Sequence, residues 1–77
     1  MKVIIYGKRG CIYCRKSIKF CEDRDIDFVY LTLDLNYTKH ELESNIGNYS
    51  TYPQIVIKDH GSSRAIGGFD QLFDHFD

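Results

Sequence analysis

The residues best suited to chemistry in this 77-residue chain are Cys11 and Cys14, two thiols three positions apart, set directly after a strand-like run and opening a helix-like one. On the first turn of a helix, residues i and i+3 share a face at about 5–6 Å. That lies within the roughly 4.4–6.8 Å Cα separation a disulfide spans. The pair can therefore cycle between dithiol and disulfide with little backbone movement, and the spacing points to thiol–disulfide exchange. Cys11 stands where a helix N-terminus presents unpaired N–H groups and about half a positive charge. Cysteines so placed titrate at roughly 3.5–7.5, against about 8.5 for a free thiol. Cys14 lies one turn deeper and leads the apolar stripe, so it is the more buried and less acidic thiol. Cys11 is the candidate nucleophile and Cys14 the candidate resolving thiol.

Cys21 follows Cys14 by seven residues, about 10.5 Å along a helix axis at 1.5 Å per residue. It is too far for a bridge and reads as a core cysteine, with a regulatory thiol as the alternative. His40, His60 and His75 are scattered, and no second CxxC or H-x₃₋₅-H accompanies the first pair, so no metal site is expected.

Three cysteines make an odd count, which argues against a disulfide-stapled secreted scaffold and for a reducing compartment. No apolar run approaches the ~20 residues needed to span a bilayer, and Val3-Ile4-Ile5-Tyr6 is too short for a secretory signal. A cytoplasmic protein without membrane attachment is expected. The net charge is −1, yet Lys2, Lys8, Arg9, Arg15, Lys16, Lys19 and Arg24 crowd the first 24 residues beside only Glu22 and Asp23. That basic segment is either a solvated helix face or a local field favouring thiolate and anionic substrates. Nucleic acid is not expected as a partner, because the chain as a whole is slightly acidic and the segment lacks interleaved stacking aromatics beyond Tyr13 and Phe20.

The elements that must position the thiols are legible from periodicity. Lys2–Tyr6 is a β-branched run ending at Gly7, a buried strand followed by the loop Gly7-Lys8-Arg9-Gly10. From Cys11 to about Asp25, Cys14, Ile18 and Cys21 recur at i, i+4 and i+7, the period of an amphipathic helix. Asp27–Leu33 alternates as a second strand. Thr38-Lys39-His40-Glu41 has the form of a capping box, opening a helix from about Lys39 to Asn45 or Ile46 that stops at Gly47. Gln54–Lys58 and Arg64–Ile66 read as strands around the turn Asp59–Ser63, and Phe69–Phe76 reads as a closing helix. The order is β-α-β-α-β-β-α in one domain, residues 1–77, with no repeat or linker.

A CxxC beside a β-α-β pattern suggests the thioredoxin-like superfamily, and three blocks narrow it. Lys8-Arg9-Gly10-Cys11-Ile12-Tyr13-Cys14, Thr51-Tyr52-Pro53-Gln54-Ile55-Val56-Ile57 and Ile66-Gly67-Gly68-Phe69-Asp70-Gln71-Leu72 stand in order over essentially the whole chain. They resemble the K-x-x-C-P-Y-C, T-V-P-x-[IV]-F-I and I-G-G-x-D-D-L blocks of small dithiol glutaredoxins. Ile12, Tyr52 and Gln71 depart from the family's proline, valine and second aspartate, and the hairpin around Asp59–Arg64 looks longer than in the shortest members.

The resemblance implies a thioredoxin-like α/β fold, a four-stranded mixed sheet flanked by three helices, in a monomer. It implies a glutathione-dependent thiol–disulfide oxidoreductase reducing protein disulfides and glutathione mixed disulfides, with glutathione as co-substrate and no bound cofactor. By the same resemblance the Tyr52–Pro53 bond is cis and faces the active thiol, leaving the backbone of Tyr52 free to pair with glutathione as an added strand, with Thr51 beside it. Gly68, Phe69 and Asp70 look like the clamp for the γ-glutamyl end, where a helix N-terminus offers N–H donors to a carboxylate; on the residues alone they read as a turn and a helix cap. Lys8 and Lys39 would meet the glycine carboxylate, and Tyr13 part of the groove wall. Two other readings stay open: a redoxin reduced by thioredoxin reductase and serving ribonucleotide reductase, and a carrier in which Cys11 and glutathione hold an iron–sulfur cluster across a dimer.

Overall fold

A computed structural model describes all 77 residues. The elements run β1 (Lys2–Gly7), α1 (Ile12–Asp23), β2 (Phe28–Thr32), α2 (Lys39–Ile46), β3 (Gln54–Asp59), β4 (Ser62–Gly67) and α3 (Phe69–Phe76). The four strands form one mixed sheet in the order β2-β1-β3-β4, with β1 and β2 parallel and the other neighbours antiparallel. The two halves have different connections for that reason. The parallel pair needs the α1 crossover, whereas β3 and β4 are joined by a tight hairpin.

Alternation along the central strands sends Val3, Ile5, Ile55 and Ile57 to one face, where they pack with Phe20 and Cys21 of α1 and Leu72 of α3. Val3, Ile5, Ile55 and Leu72 retain no exposed surface, and a fully buried side chain of this kind contributes roughly 1.5–3 kcal/mol. The opposite face meets α2 less closely, through a hollow lined by Tyr6, Ile46, Val56 and Ala65.

Several boundaries differ from the expectation for local reasons. Cys11 is the N-cap of α1 in extended conformation rather than its first helical residue, and the helix ends at Asp23 because Asp25 turns to a φ of 53°. The buried stripe of α1 is Cys14, Ser17, Phe20 and Cys21, with Ile18 only half-buried. Ser17 escapes a hydropathy reading yet fits the core because its hydroxyl donates to the Tyr13 carbonyl at 2.8 Å. β2 stops at Thr32, where Asn36 Oδ1 accepts from the Thr32 N–H at 2.9 Å and Leu33 makes a single bridge to Tyr37. The hairpin turn is shorter than the polar run suggests. Asp59 pairs with Ser62, leaving His60 and Gly61 at φ 49° and 83° as the two-residue connection, the positive-φ arrangement that suits a twisted hairpin. The Thr38/Glu41 capping box forms as expected, with bonds of 3.2 and 2.9 Å.

Candidate active site

Cys11 caps α1 with its own side chain, Sγ accepting from the Cys14 N–H at 3.2 Å. The two cysteines form a disulfide with their Cα atoms 5.2 Å apart. Cys11 is half-buried while Cys14 has no exposed surface. An incoming reagent therefore meets Cys11. In the dithiol state the same N–H bond holds a thiolate better than a thiol, because a charged acceptor strengthens it. Cys11 Sγ also stands 3.7 Å from the Tyr52 carbonyl oxygen, to which a Cys11 thiol donates.

Two tyrosines fix the loop that delivers Cys11 from β1. Tyr37 Oη donates to the Gly7 carbonyl at 2.8 Å and Tyr30 Oη to the Lys8 carbonyl at 3.3 Å, while the Leu33 N–H reaches Gly7 O at 2.9 Å. Burial pushes both phenols up in pKa, so they stay donors at neutral pH. Position 7 must be glycine for contact reasons, since a Cβ there would run into the Tyr30 ring. Neither tyrosine was singled out by sequence; within alternating strand-like residues their hydroxyl partners leave no local signal.

Beside the thiols lies a groove of about 330 Å³ built from three segments. Thr51, Tyr52 and Pro53 come from the loop before β3, Gly68, Phe69 and Asp70 from the start of α3, and Tyr13 from α1. The Tyr52–Pro53 bond is cis, and Tyr52 takes part in none of the backbone bonds made outside helices and strands. Gly68 lies against Pro53, where a Cβ would make a van der Waals contact of 3.4 Å with the Pro53 carbonyl oxygen. Gln71 completes the groove, its Oε1 accepting from the Gly68 N–H at 2.9 Å. A Gln three residues after a helix cap is the capping-box pattern, and that signal was available in the sequence.

Lys8 and Lys39 do not line this groove; their ammonium groups sit 5.2 Å from the Tyr52 ring centre and 6.0 Å from that of Tyr49. Tyr49 and Tyr52 are themselves joined, hydroxyl to hydroxyl, at 2.9 Å. Tyr49 lay in a polar loop with nothing in its spacing to mark it. Tyr13 is more than half exposed, its ring 6.1 Å from Phe69 with Lys16 Nζ 5.0 Å from its centre. None of Lys8, Arg9, Arg15, Lys16 or Lys39 makes an ion pair. The region around the thiols thus keeps its positive charge available.

Cys21 is the one unbridged cysteine; burial raises its thiol to about 11, which removes it from exchange chemistry near neutral pH. No group of three or more His, Cys, Asp or Glu side chains is gathered as for a metal ion. No helix is long and apolar enough to cross a membrane.

A dithiol at a helix start, opposite a cis-proline loop on a four-stranded mixed sheet, defines a thioredoxin-like disulfide oxidoreductase. The family model described as Glutaredoxin matches residues 3–61. The chain is 38% identical over 76 residues to a glutaredoxin of Vibrio cholerae, covering 88% of this chain and 82% of that protein. It is 32% identical over 77 residues to glutaredoxin 1 of Escherichia coli, covering 90% and 85%. Among solved structures it is similar to reduced Escherichia coli glutaredoxin, with a TM-score of 0.72 at 26% identity over 97% of this chain and 92% of that one. Glutaredoxin 1 from Francisella tularensis, complexed with cacodylate, gives 0.71 at 28% identity over 97% and 91%. The chain belongs to the glutaredoxin family and is a thiol–disulfide oxidoreductase.

Proposed function

We propose that the chain uses glutathione both to read its substrates and to regenerate its dithiol, with Cys11 as nucleophile and Cys14 as resolving thiol. The observation that carries this is the Tyr52 backbone: free of backbone partners, beside Cys11 Sγ, and opening on a groove that ends at the N-terminus of α3. A cysteine-containing tripeptide laid there gains main-chain hydrogen bonds as an added strand would. Its γ-glutamyl carboxylate meets the N–H groups of Phe69 and Asp70, and the Asp70 carboxylate its ammonium. Lys8 and Lys39, over Tyr52 and Tyr49, supply charge for the glycine carboxylate.

The Cys11 thiolate attacks the glutathione sulfur of a mixed disulfide, and the substrate sulfur leaves as a thiolate that takes a proton from water. A second glutathione thiolate then attacks the bound glutathione sulfur, releasing glutathione disulfide and restoring Cys11. With a protein disulfide, Cys11 joins one substrate sulfur and expels the other. Cys14 then attacks Cys11 Sγ, freeing the second substrate thiol and leaving the Cys11–Cys14 disulfide, which two glutathione molecules reduce. On this reading a disulfide of ribonucleotide reductase is one candidate protein substrate, and a monomer in the cytoplasm is the working form.

Turnover of a glutathione mixed disulfide, driven by NADPH through either glutathione and glutathione reductase or thioredoxin reductase, tests the assignment. Turnover in the first system and little in the second is expected. The reverse result overturns it and favours a thioredoxin-reductase-dependent redoxin.

A further inference from the structure

A second cavity, of about 270 Å³, opens against Cys11 and shares no lining residue with the groove described above. Its charged residues are Lys8, Arg9 and Arg15, with no acid among its lining. Arg15 follows Cys11 by one helical turn, its N–H reaching the Cys11 carbonyl at 3.3 Å. None of the three cations makes an ion pair. Asp34 lines an adjacent hollow with Lys8 and Arg9 but not this cavity. Tyr30 and Thr32 complete the lining, and the Tyr30 hydroxyl bond to Lys8 O holds the loop in place. Cys11 therefore lies between a groove with free backbone groups and a hollow whose three cations make no ion pair.

A tripeptide ends soon after its cysteine; a protein disulfide carries chain on both sides of the sulfur. We propose that the Lys8/Arg9/Arg15 cavity receives an acidic stretch of a protein substrate next to the cysteine that Cys11 attacks, so that the chain selects disulfides flanked by Asp or Glu. This rests on the oxidoreductase activity and adds a substrate class to it. Opposite charge at such a surface raises encounter rate and fixes register more than it adds affinity. The preference is accordingly strongest at low salt.

The test uses peptides of one sequence with an internal disulfide followed by a run of aspartates, asparagines or lysines. The readout is kcat/KM with glutathione, glutathione reductase and NADPH at low ionic strength, where the Debye length is about 30 Å. The wild type is expected to favour the aspartate peptide over the asparagine peptide by roughly tenfold. Arg15→Gln is expected to reduce that ratio and Arg15→Glu to abolish it or turn it toward the lysine peptide. Taking the ratio within one enzyme cancels any change in Cys11 reactivity or in the amount of folded protein. No preference in the wild type, or the same preference in both variants, overturns the proposal. A glutathione mixed disulfide of mercaptoethanol, which has no flanking chain, is run alongside. If it turns over while the peptide preference is absent, only the acidic-substrate proposal fails; if it does not turn over, the glutathione assignment fails with it.

Discussion

Tyr49 Oη lies 2.9 Å from Tyr52 Oη, with the two rings edge to face at 5.3 Å between centres. Tyr52 is the residue whose carbonyl faces Cys11, and the two rings carry the ammonium groups of Lys8 and Lys39. Burial and the Tyr52 hydroxyl both push the Tyr49 phenol up in pKa, so this hydrogen bond persists across the neutral range. Tyr49→Phe removes the bond and keeps the ring. A net hydrogen bond is worth about 1 kcal/mol, so KM for a glutathione mixed disulfide should rise roughly fivefold with kcat little changed. Wild-type KM in the variant would show that Tyr49 does not position Tyr52.

Cys14→Ser separates the two substrate classes. Glutathione can replace the resolving thiol on a mixed disulfide but not on a protein disulfide, where Cys14 must expel the second sulfur. Steady-state rates should hold for the first and fall severely for the second. Equal loss on both contradicts the assigned role of Cys14.

Asp70→Ala and Lys8→Ala address the charged ends of the ligand. Asp70 is exposed in the first turn of α3 and Lys8 exposed in the loop before Cys11, so neither change disturbs the core. Each should lower kcat/KM for glutathione mixed disulfides by about fivefold to thirtyfold, or ~1–2 kcal/mol. Added salt should shrink the wild-type advantage because exposed charge pairs are screened. Unchanged kinetics in both variants would remove the clamp.

Much of this site was legible because its chemistry is local. The Cys11/Cys14 spacing sets the disulfide, the Thr38/Glu41 box opens α2, and the Phe69–Phe76 period gives α3 to the residue. The ordered sequence blocks contain Thr51, Tyr52, Pro53, Gly68, Phe69 and Asp70, and these residues line one groove. What escaped depends on contacts between distant segments. Tyr37 reaches Gly7 across 30 positions and Tyr30 reaches Lys8 across 22, and no period in either segment encodes a hydroxyl aimed at a remote carbonyl. Ser17 escaped differently, since its burial depends on a bond to its own helix that hydropathy does not count.

Alkaline stability should follow the buried thiol. Cys21 keeps its proton to about pH 11 in the folded chain because of burial, against about 8.5 when exposed. The folded state therefore binds the extra proton between those values, so this thiol's contribution to stability is fully present below about pH 8.5 and is lost as pH rises from there toward about 11. Tyr30, Tyr37 and Tyr49, also raised by burial, steepen the fall above pH 10. Denaturant midpoints from pH 7.5 to 10.5 should show a shallower decline between 9 and 10 in Cys21→Ala than in the wild type, whatever its lower starting stability. Parallel declines contradict this origin.

The reactivity of Cys11 is tested most directly by site-resolved alkylation. Fully reduced protein is exposed to limiting iodoacetamide across pH 4–9, and the rate at each of the three cysteines is read by mass spectrometry. Cys11 should react first at every pH, with a midpoint in the roughly 3.5–7.5 range of thiols at helix N-termini. Faster modification of Cys14 or Cys21, or a Cys11 midpoint at about 8.5 as in a free thiol, would contradict its assignment as the nucleophile.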